Sequence, residues 1–155
     1  MKLPKALKKL NKDDNLNFPR GAECVFVSCD NGWGMKLYGV EATRDAGFFT
    51  QQKLNKLYLA PKVGKVFTAE ISHEDATHLS VDQSKCGKKS IVYGYMSEEA
   101  DIVQFPSSPR DQVRLNQLYD KLKKVGYTFR DNGIRNVGYI GKKLVIIDCN
   151  PLSFD

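Results

Sequence analysis

Four apolar residues, Leu144-Val145-Ile146-Ile147, run straight into Asp148. A run without polar alternation reads as a strand covered on both faces, and it sets the carboxylate at the strand's mouth. Burying that charge unpaired costs several kcal/mol, so a metal ion, a cation or solvent has to meet it. Upstream, Phe129-Arg130-Asp131-Asn132-Gly133-Ile134-Arg135-Asn136 supplies a second carboxylate, Asp131, and a carboxamide, Asn136. Between them and Asp148, residues 137–140 and 144–147 read as the arms of a hairpin turning at Gly141-Lys142-Lys143. A hairpin brings its ends together, so Asn136 and Asp148 are expected as neighbours. An oxygen-only pair suits Mg²⁺, which takes a few protein oxygens and completes its shell with phosphates and water. Duller readings stand beside this one: Asp131-Asn132-Gly133 as a simple turn, and Asp148 as a local cap over Cys149 and Asn150.

The remaining metal-ligand types are less promising. His73 and His78 lie five apart, which is not the i, i+4 spacing that sets two histidines on one helix face around zinc. Cys24, Cys29, Cys86 and Cys149 contain no CxxC pair, so reduced thiols are expected in place of a disulfide frame or zinc site.

Elements must hold these groups. Glu23 to Val27 and Gly34 to Tyr38 are β-prone runs around Asp30-Asn31-Gly32, and Asn-Gly tolerates the positive φ of a tight turn. Residues 41–58 carry Ala42, Ala46, Phe49, Leu54, Leu57 and Tyr58 at roughly helical spacing. That predicts a helix ending before Ala60-Pro61. Val63 to Ile71 and Ser90 to Met96 read as strands, 72–89 as a loop between them, and Ser97 to Asp101 as an acidic break. After the joint Phe105-Pro106-Ser107-Ser108-Pro109, Ser108 is placed to cap a helix whose first residue is Pro109. Leu115, Leu118, Tyr119, Leu122 and Val125 form its stripe and Gly126 closes it. The order of strands, helix, strands, joint, helix, loop and hairpin is α+β.

At this point a family resemblance becomes visible. Arg130-Asp131, with Asn136 five positions after the aspartate, resembles the HRDxxxxN catalytic loop of protein kinases. The hairpin leading to Asp148 resembles the approach to that family's DFG aspartate, and Lys36 stands where the VAIK lysine would. Tyr93-Gly94-Tyr95-Met96 looks like the hinge between lobes, whose backbone meets adenine. The likeness covers about residues 18–150, nearest in flavour to phage-type and small-molecule kinase-like branches. It implies a two-lobed kinase-like fold: residues 1–96 as a β-rich N-lobe with its hinge near 93–96, and 97–155 as a rudimentary C-lobe. It also implies ATP and Mg²⁺ as cofactors. Asp131 would accept a proton from an attacking hydroxyl, Asn136 and Asp148 would hold metal, and Lys36, Gly21 and Tyr95 would contact nucleotide.

The sequence departs from the family at several places. Phe129 replaces the histidine, Cys149-Asn150 replace Phe-Gly, and the glycine-rich loop is reduced to Gly21. Glu41 comes early for the helix glutamate that pairs with the lysine, and Gln51 or Gln52 falls near its expected turn. Seven residues follow Asp148, with no APE motif among them. Two readings follow: an active phosphotransferase acting on a protein or small hydroxyl compound, or a pseudokinase that binds nucleotide and regulates a partner.

The bulk numbers admit both readings. With 41% hydrophobic and 27% charged residues the chain is neither fibrous nor disordered. Its net charge of +6 suits anionic partners. A third reading, a basic nucleic-acid-binding protein, rests on that charge alone and is the least expected, since the lysines are scattered and no RNP, KH or zinc-knuckle pattern is present. No stretch approaches the roughly 20 apolar residues of a membrane span, so a cytoplasmic protein without a membrane partner is expected. Leu3, Ala6, Leu7 and Leu10 fall at helical spacing among lysines. The expectation there is a complete chain whose N-terminal stripe docks on its own fold or on the twin subunit of a homodimer, against the plainer reading of a solvated basic tail.

Overall fold

Asn31 and Gly32 both take positive φ, 64° and 75°. The chain therefore reverses sharply, and β1 (Cys24–Ser28) pairs antiparallel with β2 (Trp33–Tyr38). In this computed structural model the described residues are 24–72, 89–103, 108–129, 137–149 and 152–154. Gly21, the Asp131 loop with Asn136, residues 73–88, both histidines, the 104–107 part of the joint and the N-terminal stripe lie outside them. The described elements are mixed α+β, as expected.

They group into two compact units, one within Met1–Ala46 and Gly64–Glu98, the other within Gly47–Val63 and Glu99–Asp155. In the first unit, β3 (Val63–Ser72) and β4 (Lys89–Glu98) complete a four-stranded sheet of order β1-β2-β4-β3. Val25 and Val27 of β1 are buried while Phe26 and Ser28 are exposed, the alternation of a strand with one covered face. Every residue of β2 from Gly34 to Tyr38 is buried, as suits a strand with neighbours on both edges. Gly94 of β4 has to be glycine. A Cβ there would meet the Phe67 ring at 2.5 Å and the Lys36 carbonyl at 2.9 Å.

Helix α1 (Glu41–Lys56) forms over the expected stretch. Of the six apolar residues on the helical spacing, only Leu54 is buried; Ala42 and Ala46 are exposed, as are Phe49, Leu57 and Tyr58. The inward face carries Arg44, Gly47, Gln51 and Leu54 instead. Two of these are polar and tolerate burial because main-chain carbonyls receive their donors. Arg44 Nη1 donates to the carbonyls of Phe67 (3.0 Å) and Gly94 (3.3 Å), within the first unit. Gln51 donates to the Pro61 carbonyl at 3.1 Å, within the second. The helix ends as expected before Ala60-Pro61. Leu59 N–H bonds back to the Leu54 carbonyl at 2.9 Å with Tyr58 at φ 60°. A left-handed residue at this point is usually glycine, and a side chain in that conformation costs roughly 1–2 kcal/mol.

The second unit is organised by α2 (Pro109–Lys124). Ser108 caps it, accepting from the Asp111 amide at 3.3 Å, and Pro109 opens it. Gly126, at φ 90°, receives its end. Leu115, Leu118 and Leu122 are buried in a cluster with Leu54, Leu59, Tyr127, Val137, Leu144, Ile146 and Cys149; Tyr119 and Val125 pack at its margin. The expected C-terminal hairpin forms from β7 (Val137–Ile140) and β8 (Lys143–Ile146). Its turn is tighter than expected, because Ile140 pairs with Lys143 and only Gly141 and Lys142 span it. Two further pairings were not anticipated. The short β5 (Asp101–Ile102) lies against β7, and β6 (Tyr127–Phe129) pairs with β9 (Leu152–Phe154). No described helix is long and apolar enough to cross a membrane.

Candidate functional site

In the second unit two strand pairings bound the stretches of chain that carry the expected chemistry. Phe129 is the register partner of Leu152, and Val137 is the register partner of Ile146. The seven residues 130–136 therefore leave from one paired position and return at another, and the five residues 147–151 run between the partners of those same two positions. Asp131 and Asn136 belong to the first stretch and Asp148 to the second. The sequence reading expected only one of these pairings, the hairpin. The other depends on β9, whose three residues give no strand signal of their own and acquire one from β6.

Asp148 sits two residues beyond the end of β8 and is half-buried. Its neighbours explain why it stays there. Ile146 is fully buried and its amide donates to the Leu59 carbonyl at 2.8 Å. Cys149 is buried in the same core. Asp148 is thus fixed on both sides by residues that cannot leave the interior without exposing apolar surface. Among the described residues no three His, Cys, Asp or Glu side chains gather as a metal cluster. Of the expected oxygen donors, Asp148 is the one whose position is described.

In the first unit, the structure brings Lys36 and Tyr95 together. They are register partners on β2 and β4, so their side chains share a sheet face. Lys36 is only 6% exposed, and its Nζ lies 5.7 Å from the centroid of the Tyr95 ring, within range of a cation–π attraction. Tyr38, two residues along β2 on the same face, stacks on Tyr95 with ring centroids 6.1 Å apart. Burial drives the Tyr38 phenol far above the usual tyrosine range, and Cys24 and Tyr95 push the same way. It therefore stays a neutral hydrogen-bonding group. The sequence reading missed Tyr38 as part of this cluster, although Lys36-Leu37-Tyr38 and Tyr93-Gly94-Tyr95 carry the two-residue spacing that puts side chains on one face. Residues 93–96, expected as the end of a strand and as the hinge between lobes, lie within β4, which continues to Glu98 and has neighbours on both edges.

Helix α1 contains two carboxylates, Glu41 and Asp45. Both turn to Arg44, at 3.7 Å and 2.6 Å. Arg44 Cζ also lies 5.7 Å from the Tyr93 ring centroid. The first turn of the helix is thereby tied to the sheet through one guanidinium that no periodicity rule would choose.

No protein-family model matches this chain, and no curated protein matches it.

Proposed function

We propose that this chain is a kinase-like protein that binds ATP and Mg²⁺ and transfers a phosphoryl group to a hydroxyl. The observation that carries the reading is the pair of strand pairings, β6 with β9 and β7 with β8, which ties both ends of the Asp131–Asn136 stretch to both ends of the Asp148 stretch. Phosphoryl transfer depends on positioning and electrostatics more than on covalent chemistry, and a loop held at both ends suits it. In this reading Asn136 and Asp148 give oxygens to the metal and Asp131 takes the proton of the attacking hydroxyl. Lys36 pairs with phosphate oxygens. The oxygen donors match what Mg²⁺ accepts. The two-lobed kinase-like architecture belongs to the same proposal. It is supported by a lysine strand, β2, that leads into a helix and pairs with the strand carrying Tyr95.

A second reading, a pseudokinase that holds nucleotide and works through a partner, is favoured by one observation. Both carboxylates of α1 engage Arg44, whereas the resemblance asks that a helix glutamate serve the strand lysine.

Two measurements separate the cases. A ligand at 100 times its Kd stabilises the fold by about 2.7 kcal/mol, so melting curves with ATP should rise, and rise further with Mg²⁺. Asp148→Asn should remove the metal-dependent part. Absence of any shift at millimolar Mg-ATP would end both readings. Transfer of label from γ-labelled ATP then decides between them. If the protein is an enzyme, Asp131→Ala should slow transfer by about 10²–10⁴ while binding persists. Equal transfer by wild type and variant would leave the pseudokinase.

A further inference from the structure

The resemblance asks Tyr95 for a direct contact with nucleotide, yet Tyr95 is 0% exposed while Lys36 keeps 6% of its surface. Of the two, Lys36 is the one a ligand reaches. What Tyr95 touches is Lys36 itself. They are register partners on β2 and β4, the inner strands of their sheet. The Lys36 Nζ stands 5.7 Å from the centroid of the Tyr95 ring, within range of a cation–π attraction. Tyr38 stacks on the same ring, with centroids 6.1 Å apart and planes 18° from parallel. Turning the Tyr95 ring would break that stack. The residue before it is fixed as well. The Gly94 carbonyl accepts from Arg44 Nη1 at 3.3 Å, and the Phe67 ring fills the place of a Cβ on Gly94. Strand pairing, a stacked neighbour and an anchored backbone together give the ring one position.

We propose that Tyr95 is a positioning residue whose ring holds the Lys36 ammonium ready for the phosphate oxygens of a nucleotide. This rests on the nucleotide reading above and assigns its lysine a partner that the resemblance does not contain. A lysine has a long flexible stem, and rotamers removed in advance are not lost again when the ligand binds. A ring attracts the ammonium through its quadrupole and carries no charge of its own. The positive charge is therefore held without being cancelled, as a carboxylate would cancel it, and stays available to an anion. Both carboxylates of α1 meanwhile turn to Arg44. Tyr95 thus acts through Lys36 and needs no exposed surface to do so.

The test uses the full chain with carbon-13 at the ε-carbon of its lysines. The Lys36 resonance is identified by its loss in Lys36→Arg. Without any nucleotide, ring current should displace its ε-methylene protons upfield of the other lysines. Tyr95→Phe keeps the ring and should keep the displacement; Tyr95→Leu removes the ring and should abolish it. Titration with Mg-ATP should then show binding about tenfold weaker in Tyr95→Leu, the worth of one cation–π contact, and within about twofold of wild type in Tyr95→Phe. A residue that served only the fold would change the melting temperature and leave the Lys36 resonance where it was. A wild-type resonance among the other lysines overturns the proposal, and so does a displacement lost in Tyr95→Phe, which would give the contact to the hydroxyl. If the Leu variant unfolds, these two observations still decide. A wild-type chain that fails to bind Mg-ATP brings down the nucleotide reading. A displaced resonance with Mg-ATP binding unchanged in Tyr95→Leu overturns the positioning role alone.

Discussion

Tyr139, in β7, donates a 2.5 Å hydrogen bond to Asp111 in the first turn of α2. This bond, above the help of Ser108 and Arg114 and against partial burial, draws the Asp111 carboxyl below the usual carboxylate range. A group whose folded value is depressed contributes stability that is present above its unfolded value, about pH 4. That contribution is lost as pH falls through the lower folded value. Tyr139→Phe removes the largest cause. Its melting temperature should therefore lie below wild type at pH 7, and the gap should narrow as melts are taken from pH 5 toward pH 2. A gap independent of pH would mean that the phenol matters only through packing. At this scale the sequence was legible where a residue's role is local. Ser108, Pro109, Gly126 and the Asn31-Gly32 turn could be read because their chemistry is satisfied within a few positions. Arg44 and Gln51 could not, because the carbonyls that receive them belong to Phe67, Gly94 and Pro61, which no local rule connects to the helix.

Among the elements, α2 shows the pattern at its most readable and α1 at its least. In α2 the apolar stripe and the buried face coincide, because its contacts are aliphatic. In α1 every expected apolar position except Leu54 is exposed, and Arg44 and Gln51 are buried beside it, so periodicity alone did not find the buried face. The strand β9 was invisible for a different reason: three residues carry too little pattern, and its existence depends on pairing with β6. That dependence makes it testable. Removing residues 152–155 deletes the partner of Tyr127–Phe129 and removes one of the two pairings that bound the Asp131–Asn136 stretch. The truncated chain should melt at a lower temperature and lose the Mg²⁺-dependent part of its response to ATP. Its α2 core, which among the described residues gathers Leu54, Leu59, Leu115, Leu118, Leu122 and Ile146, should remain folded by circular dichroism. A truncated chain that responds to Mg-ATP like the intact one would show that the hairpin pairing suffices, and the positioning argument would pass to β7 and β8 alone.

At the scale of the whole molecule the chain passes between its two units three times, after Ala46, after Val63 and after Glu98. Helix α1 is continuous through the first passage and β3 begins at the second. Unfolding one unit must therefore fray a helix or a strand of the other, and helices are cooperative with a costly nucleus. That connectivity predicts one thermal transition in place of two. A pair of substitutions makes the case sharply. Arg44→Ala acts in the first unit, leaving the Phe67 and Gly94 carbonyls without their donor, at a cost of roughly 2–3 kcal/mol. Leu118→Ala acts in the second, emptying a position that is 4% exposed in its core, at a cost of roughly 2–5 kcal/mol. If the units unfold together, either substitution lowers the same single transition, and calorimetric and van't Hoff enthalpies agree in both variants. If they unfold apart, each substitution moves one transition and leaves a second at the wild-type temperature. The sequence alone poses this question without deciding it, since 47–63 and 99–155 lie apart in the chain and are joined by the core that Leu54 and Leu59 share with α2 and by the bond from the Ile146 amide to the Leu59 carbonyl.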